Sequence, residues 1–297
     1  MSEPAAERWD DARLAALLPW PAPDANKYAR GALAVVGGCA RYPGAACLAA
    51  AAGQRAGAGY VTVVCAPESL AVVRGFRPSL VARSWEGWQA ADLPAARPAR
   101  PAAAVVGPGL DPADDACARL ALAVLAAAAS PLLVDGGALA ALATGEGRAL
   151  AAARAAQGRV TVLTPHGGEA ARLARGARIG GDAAADPARL AAALARAYGA
   201  VCVLKGPDTH VSDGARTVLV DRGTAALAKA GTGDVLAGVV GALLAQGASL
   251  LEAAVLGATL HAEAGCAAAD RMTAIGVVPE DVVDALPEAV RRLAAAG

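Results

Sequence analysis

Four polar side chains carry the chemistry available to this sequence: Asp135, His166, Lys205 and Asp234, each set just after a short apolar run or inside a glycine turn. Asp234 is the most informative. It ends the run Ala230-Gly231-Thr232-Gly233-Asp234 and opens an apolar pattern of Val235, Leu236, Val239, Val240, Leu243 and Leu244. That spacing predicts a helix over 235–246, stopped by Gly247. Gly231 and Gly233 let successive backbone N–H groups face one point, and the positive end of the helix lies at the same point. Such a place holds a phosphate or a developing phosphoryl anion, which makes Gly231, Thr232 and Gly233 catalytic candidates. A carboxylate beside it suits a general base taking the proton of a hydroxyl about to be phosphorylated. The plainer alternative is a helix-start acid that offsets the dipole, with the glycines as turn residues.

Lys205-Gly206-Pro207-Asp208-Thr209 follows the apolar run 200–204. Gly206 permits close backbone approach, and Lys205 and Thr209 offer donors to a phosphate or a ribose. An ordinary hairpin, with Thr217–Val220 as its second arm, explains the same residues. His166 follows Thr164-Pro165, which fixes the backbone at a strand exit, and Glu169 is spaced to cap the following helix. A ligand contact for His166 stands beside a purely structural role. No metal-ligand spacing surrounds it. His210 and His261, the remaining two of the three histidines, carry no assigned role, nor does Glu263.

These residues need a scaffold, and composition limits what it is. With 297 residues, 56% of them hydrophobic, the chain can bury a large core. Charge is balanced at 27 basic against 27 acidic residues, with Lys and Arg scattered, which argues against a nucleic-acid surface. The six cysteines lie far apart without a Cys-x-x-Cys pair and read as buried thiols of a reducing compartment. Alanine tracts are interrupted before reaching membrane-spanning length, and no basic start precedes an apolar run. A cytoplasmic protein that spans no membrane is expected.

The elements alternate. Strands are expected at 32–36, 60–65, 103–106, 131–134, 160–163, 200–204 and 217–220. Helices are expected at 1–20, 44–55, 112–129, 148–156, 168–175, 187–198, 235–246 and 250–268, with 84–101 a surface insertion. That alternation predicts α/β architecture: three αβα layers around a mostly parallel central sheet. Ligands bind such sheets beyond the carboxyl ends of the strands, and Asp135, His166, Lys205 and Asp234 all fall at that edge. A Rossmann dinucleotide site is disfavoured, because Gly37, Gly38 and Gly44 lack the Gly-x-Gly-x-x-Gly spacing. The loop 39–43 instead reads as a substrate-contacting turn, with Gly44 and Ala45 allowing close approach.

Five stretches, in order, resemble the ADP- or ATP-dependent NAD(P)H-hydrate dehydratases, a ribokinase-like family. They are Val35-Val36-Gly37-Gly38 through Tyr42-Pro43-Gly44-Ala45 to Gly57-Ala58-Gly59, then Val106-Gly107-Pro108-Gly109-Leu110, then Thr164-Pro165-His166-Gly167-Gly168-Glu169. Leu204-Lys205-Gly206 and Gly231-Thr232-Gly233-Asp234-Val235-Leu236-Ala237-Gly238 complete the set, so the resemblance spans about residues 17–292. It implies a repair lyase acting on hydrated NADH or NADPH. The C6 hydroxyl is phosphorylated at the expense of ADP, and phosphate is then eliminated to restore NADH or NADPH. Mg2+ is expected with the nucleotide. The resemblance implies that Ala45, Gly109, His166 and Asp234 contact the hydrated dinucleotide, while Lys205, Gly206, Pro207, Asp208, Thr209 and Gly233 contact the adenine nucleotide.

Two positions depart from the family pattern. The family often has Asp-x-Asp-Ala-Leu where this chain has Asp135-Gly136-Gly137-Ala138-Leu139, and Thr224 matches a family Asn upstream of the glycine turn. A single dehydratase domain without the epimerase domain of some relatives is expected, and a homo-oligomer is compatible with it. Two other readings differ in class: a ribokinase-like vitamin kinase, which stops at the phosphorylated product, and a dinucleotide-binding sensor, which has no need of Asp234.

Overall fold

Short β-branched and alanine runs bounded by Gly or Pro become strands here, and small-residue runs become the helices that cover them. The computed structural model describes residues 6–297. Its strands are β1 (Ala32–Val36), β2 (Tyr60–Cys65), β3 (Val81–Ser84), β4 (Ala102–Val106), β5 (Leu132–Val134), β6 (Thr161–Leu163), β7 (Val201–Leu204), β8 (Thr209–Ser212) and β9 (Thr217–Val220). Helices α1 (Asp11–Ala16), α2 (Pro43–Arg55), α3 (Leu70–Phe76), α4 (Asp115–Ala127), α5 (Gly137–Leu142) and α6 (Gly145–Ala156) occupy the first half. The second half holds α7 (Gly167–Ala177), α8 (Asp182–Ala185), α9 (Pro187–Tyr198), α10 (Thr232–Ala245), α11 (Leu250–Met272) and α12 (Pro279–Ala296).

One sheet runs β3-β2-β1-β4-β5-β6-β7-β8-β9. Pairing is parallel from β3 to β7, and β8 and β9 extend it antiparallel. Successive residues point to opposite faces. Leu33 and Val35 enter one buried cluster with α2, α10, α11 and α12, while Ala34 and Val36 enter a second with α4, α5, α7 and α9. Both faces are therefore covered, which is why the strands read as unbroken apolar runs. The three-layer, mostly parallel fold is the expected one. Among the described residues no helix is long and apolar enough to cross a membrane.

The strand order reverses at β1, which pairs with β2 on one side and β4 on the other. A crevice opens at such a reversal. The turns leaving β1 and β4 meet there: the Gly38 N–H donates to Pro108 O (2.9 Å) and the Cys39 N–H to Gly109 O (2.8 Å). Helix α10 lies across β1 and β4 and against α2, so its first turn reaches the same carboxyl edge. Only small residues allow that approach. A Cβ on Gly238 would stand 2.0 Å from Ala49 O.

Several expectations are corrected. The helix expected over 1–20 is confined to Asp11–Ala16, and residues 1–5 lie outside the described chain. Asp10 starts it by accepting the Arg13 N–H (2.8 Å), while Glu7 upstream is extended and bridges to Val218 of β9. Thr217–Val220 pairs not with β7 but with an intervening strand, β8, whose alternating Thr209-His210-Val211-Ser212 has no apolar run to announce it. Strand β3 and helices α3 and α12 were not expected at all. In the region 84–101, Trp85 and Trp88 are half-buried against the second cluster.

All six cysteines are free; five are buried and Cys266 is half-buried. Burial pushes the Cys47, Cys65 and Cys117 thiols up to about 11, and that of Cys202 to about 12.

Gly238→Ala tests the packing of α10 on α2. In an exposed helix this change stabilises by about 1 kcal/mol. Here the added methyl meets a backbone carbonyl, so the expected result is a loss of about 1–3 kcal/mol, read as a lower Tm in thermal unfolding. A rise in Tm would show that the two helices are not in close contact.

Candidate active site

Asp135 leaves β5 fully buried, and a buried carboxylate needs partners. Its Oδ1 accepts from Thr164 Oγ1 (2.7 Å), at the end of β6, and from Lys205 Nζ (2.9 Å), at the end of β7. Lys205 lies 3.9 Å from Glu169 Oε2 as well. Burial alone would lower its pKa, but Asp135 and Glu169 outweigh that and hold the ammonium charged, above its usual range. Sequence reasoning assigned Glu169 to the helix cap. The cap is there: the His166 N–H donates to Glu169 Oε2 (2.8 Å), and His166 Nδ1 accepts the Gly168 N–H (3.0 Å). Glu169 nonetheless also belongs to the charge cluster, and burial, with Asp135 helping, pushes its carboxyl above the usual range.

With Nδ1 accepting, the neutral His166 ring carries its proton on Nε2, 3.6 Å from Glu169 Oε2. The ring is exposed and turned to the cavity. His166 and Lys205 also sit side by side, as a parallel bridge just beyond β6 and β7.

The glycine turn stands opposite. Gly231 takes φ +99°, and a Cβ there would meet Leu48 and Pro279 at 2.9 Å, so a side chain is excluded by both conformation and space. The first-turn N–H groups of Gly233 and Asp234 have no intrahelical partner. Gly233 faces Lys205, whose Nζ would lie 3.2 Å from a Cβ added there. The single proton of the Thr232 hydroxyl is shared between Leu227 O (2.7 Å) and Lys229 O (2.9 Å), which braces the turn from behind. Thr232 thus ties the turn to the segment that precedes it. Asp234 is half-buried, and burial pushes its carboxyl up to about 7, with Asp135 adding to the rise and Lys205 opposing it.

A cavity of about 810 Å³ joins these groups. Asp135, His166, Glu169, Lys205, Gly206, Pro207, Thr209, Gly231, Thr232, Gly233 and Asp234 are on its wall, with Thr224. Asp208 is exposed on the β7–β8 turn and does not line it. Ala45 and Gly109 lie instead in the crevice where the strand order reverses, 3.1 Å apart as measured from a Cβ added on Gly109. Gly231 touches Leu48, one turn along α2 from Ala45. The turn therefore stands between crevice and cavity, with Asp234 on its cavity side.

The departure at Gly137 has a local cause, since a Cβ there would sit 2.1 Å from Leu110 O. Thr224 caps a short turn, accepting the Ala226 N–H at 3.3 Å. His261 was given no role, yet its ring is buried on the cavity wall and burial pushes its pKa down to about 4, which keeps it neutral. The spacing of Ala258, His261 and Ala262 on one face of α11 was the available signal.

A cavity at parallel-strand ends, with a carboxylate against free N–H groups, suits phosphoryl transfer to a hydroxyl. Comparison with known proteins gives the same direction. The family model described as NAD(P)H-hydrate dehydratase matches residues 33–288. An ADP-dependent (S)-NAD(P)H-hydrate dehydratase of Xanthomonas campestris is 34% identical, over 93% of this chain and 93% of that protein. A bifunctional NAD(P)H-hydrate repair enzyme of Salinibacter ruber is 40% identical over 90% of this chain, which spans about half, 50%, of that longer relative. Among solved structures, an ADP/ATP-dependent NAD(P)H-hydrate dehydratase of Bacillus subtilis, co-crystallised with ATP and Mg2+, superposes with a TM-score of 0.77 at 26% identity, covering 97% of this chain and 99% of that one. A ribokinase-like protein of Enterococcus faecalis shares the fold at a TM-score of 0.79 and 23% identity, over 99% and 98% of the two chains.

The raised Asp234 pKa has a consequence for stability. Below the unfolded value near 3.8 both states hold the proton; between there and about 7 only the folded state does. Stability from this group is therefore full at low pH and is lost as pH rises through about 7. Asp234→Asn removes the dependence, so the variant's Tm should exceed the wild type's by more at pH 8 than at pH 4.5. A difference in Tm that is equal at both pH values, or larger at pH 4.5, would mean that Asp234 is not held protonated by its surroundings.

Proposed function

The chain belongs to the NAD(P)H-hydrate dehydratase family, and we propose on that premise that Asp234 is the general base of an ADP-dependent dehydration of (S)-hydrated NADH and NADPH. The observation that carries the proposal is the half-buried Asp234 carboxylate beside the partnerless N–H groups of the Gly233 turn. The dinucleotide occupies the crevice at Ala45 and Gly109 and reaches His166. The adenine nucleotide occupies the cavity along Lys205, Gly206, Pro207, Thr209 and Gly233. Asp208, outside the cavity wall, contributes through the shape of its turn.

In the first step the C6 hydroxyl oxygen attacks the terminal phosphorus of ADP, its proton passes to Asp234, and AMP leaves. The turn N–H groups donate to the transferring phosphoryl oxygens, where charge accumulates. In the second step the C6–O bond breaks with phosphate as the leaving group. The neighbouring ring C–H gives up its proton to water, its electron pair forms the ring double bond, and the C6–O pair leaves with the phosphate. Asp234 suits this sequence because a pKa of about 7 makes it a useful acceptor at neutral pH.

Among the described residues no cluster of three or more His, Cys, Asp or Glu could hold a metal alone. Asp135 and Glu169 do offer carboxylate oxygens on the cavity wall, the hard donors Mg2+ takes when nucleotide phosphates complete its shell. Mg2+ bound there would offset phosphate charge. A cytoplasmic setting fits both the substrate and the free thiols.

Hydrated NADH with ADP should regain dihydronicotinamide absorbance and release AMP and phosphate in equal amounts. A phosphorylated dinucleotide that accumulates without phosphate release would make the protein a kinase instead. Asp234→Asn should lower turnover by about a hundredfold or more while ADP binding persists. In the wild type, kcat/KM should rise with pH as Asp234 loses its proton and level off above about 7. Near-normal turnover in a folded Asp234→Asn variant would sink the mechanism.

His166 separates into two roles by substitution. Asparagine also caps helices, so His166→Asn should keep the wild-type Tm while raising KM for hydrated NADH several-fold and leaving that for ADP unchanged. An unchanged KM would reduce His166 to a helix cap, and a large fall in kcat would put it in the chemical step.

A further inference from the structure

Five charged side chains line the cavity: Asp135, Glu169, Lys205, Asp234 and Lys229. Lys205 is already neutralised, by Asp135 at 2.9 Å and Glu169 at 3.9 Å. Among the described residues no carboxylate pairs with Lys229. Its Nζ donates instead to two backbone carbonyls, Ile275 O (2.8 Å) and Val277 O (2.5 Å), in the loop between α11 and α12. Carbonyl oxygens orient an ammonium without cancelling its charge, and two donations leave one N–H of three unused.

The position is fixed from both ends. The Lys229 carbonyl accepts from the Thr232 hydroxyl (2.9 Å) and from the Thr232 N–H (3.3 Å), so its backbone is part of the glycine turn. The loop that holds its side chain is itself constrained: Thr273 takes φ +79°, a conformation unfavourable for a β-branched residue, and Pro279 packs against Gly231. A cation whose charge is uncompensated therefore stands two residues before Gly231, on the wall of a cavity whose other lysine is spent.

We propose that Lys229 is a further phosphate-binding residue of this site, contacting the phosphate of a nucleoside diphosphate held at the Gly231–Gly233 turn. The inference rests on the adenine-nucleotide reading of the cavity. It assigns the two lysines different duties: Lys205 holds the carboxylate cluster together, and Lys229 supplies the net positive charge that the phosphate meets.

Calorimetric titration of the full chain with adenosine, AMP and ADP tests this, using wild type, Lys229→Met and Lys229→Arg. Charge-assisted contacts are the strong ones, so Lys229→Met should weaken ADP binding about tenfold and leave adenosine unchanged. Lys229→Arg should restore most of the ADP affinity, and raising the salt concentration should narrow the gap between wild type and Lys229→Met. Equal losses for ADP and adenosine would make Lys229 a loop tether and overturn the proposal, as would unchanged ADP affinity in Lys229→Met. A wild-type chain that binds none of the three would overturn the nucleotide reading itself, a result distinct from either of those.

Discussion

The contact between Lys205 and Asp135 is the one on which the rest of the carboxyl edge depends. It joins the ends of β5 and β7 directly, and Thr164 brings the end of β6 to the same oxygen. Asp135 is buried, so removing its partner would strand a charge in the interior, at a cost of about 3–5 kcal/mol. The pair also governs the base. Asp135 and Glu169 both push the Asp234 proton on, and Lys205 is the charge that opposes them. Burial is the largest cause of the rise, and Lys205 is what limits it.

That edge is reachable only because the helices covering it are nearly smooth. Helix α2 is built largely of alanine and glycine, and on the facing helix α10 Gly238 leaves no side chain in the way of the Ala49 carbonyl. A bulkier pair would lift α10 off the sheet and carry the Gly231 turn away from Lys205. The same smallness recurs at Gly137 against Leu110. Packing density thus fixes where the anion-binding turn stands, and the charge cluster fixes what it can do.

Much of this was legible in the sequence, and the exceptions have physical causes. The parallel strands were readable because both their faces are buried. Asp135, His166, Lys205 and Asp234 were readable because each ends such a strand or opens such a helix. The strand β8 was not, since Thr209-His210-Val211-Ser212 offers no apolar run and is ordered by pairing across β7 and β9. Helix 1–20 was overextended because periodicity cannot see that Glu7 is drawn into a bridge with β9. Glu169 showed its capping role by spacing alone, whereas its place beside Lys205 depends on strands forty residues apart in order being neighbours in space. Lys229 gave no signal, because what distinguishes it is the absence of a counter-charge.

The buried cysteines bear on the conditions under which such an enzyme works. Only a thiolate readily attacks a peroxide or a disulfide. With pKa values pushed up to about 11 or 12, Cys47, Cys65, Cys117 and Cys202 are ionised at neutral pH in roughly one molecule in ten thousand or fewer. These four sulfurs therefore present almost no nucleophile to an oxidant at neutral pH. The alanine-rich interior that packs against the glycine turn thus also shields these four thiols from solvent.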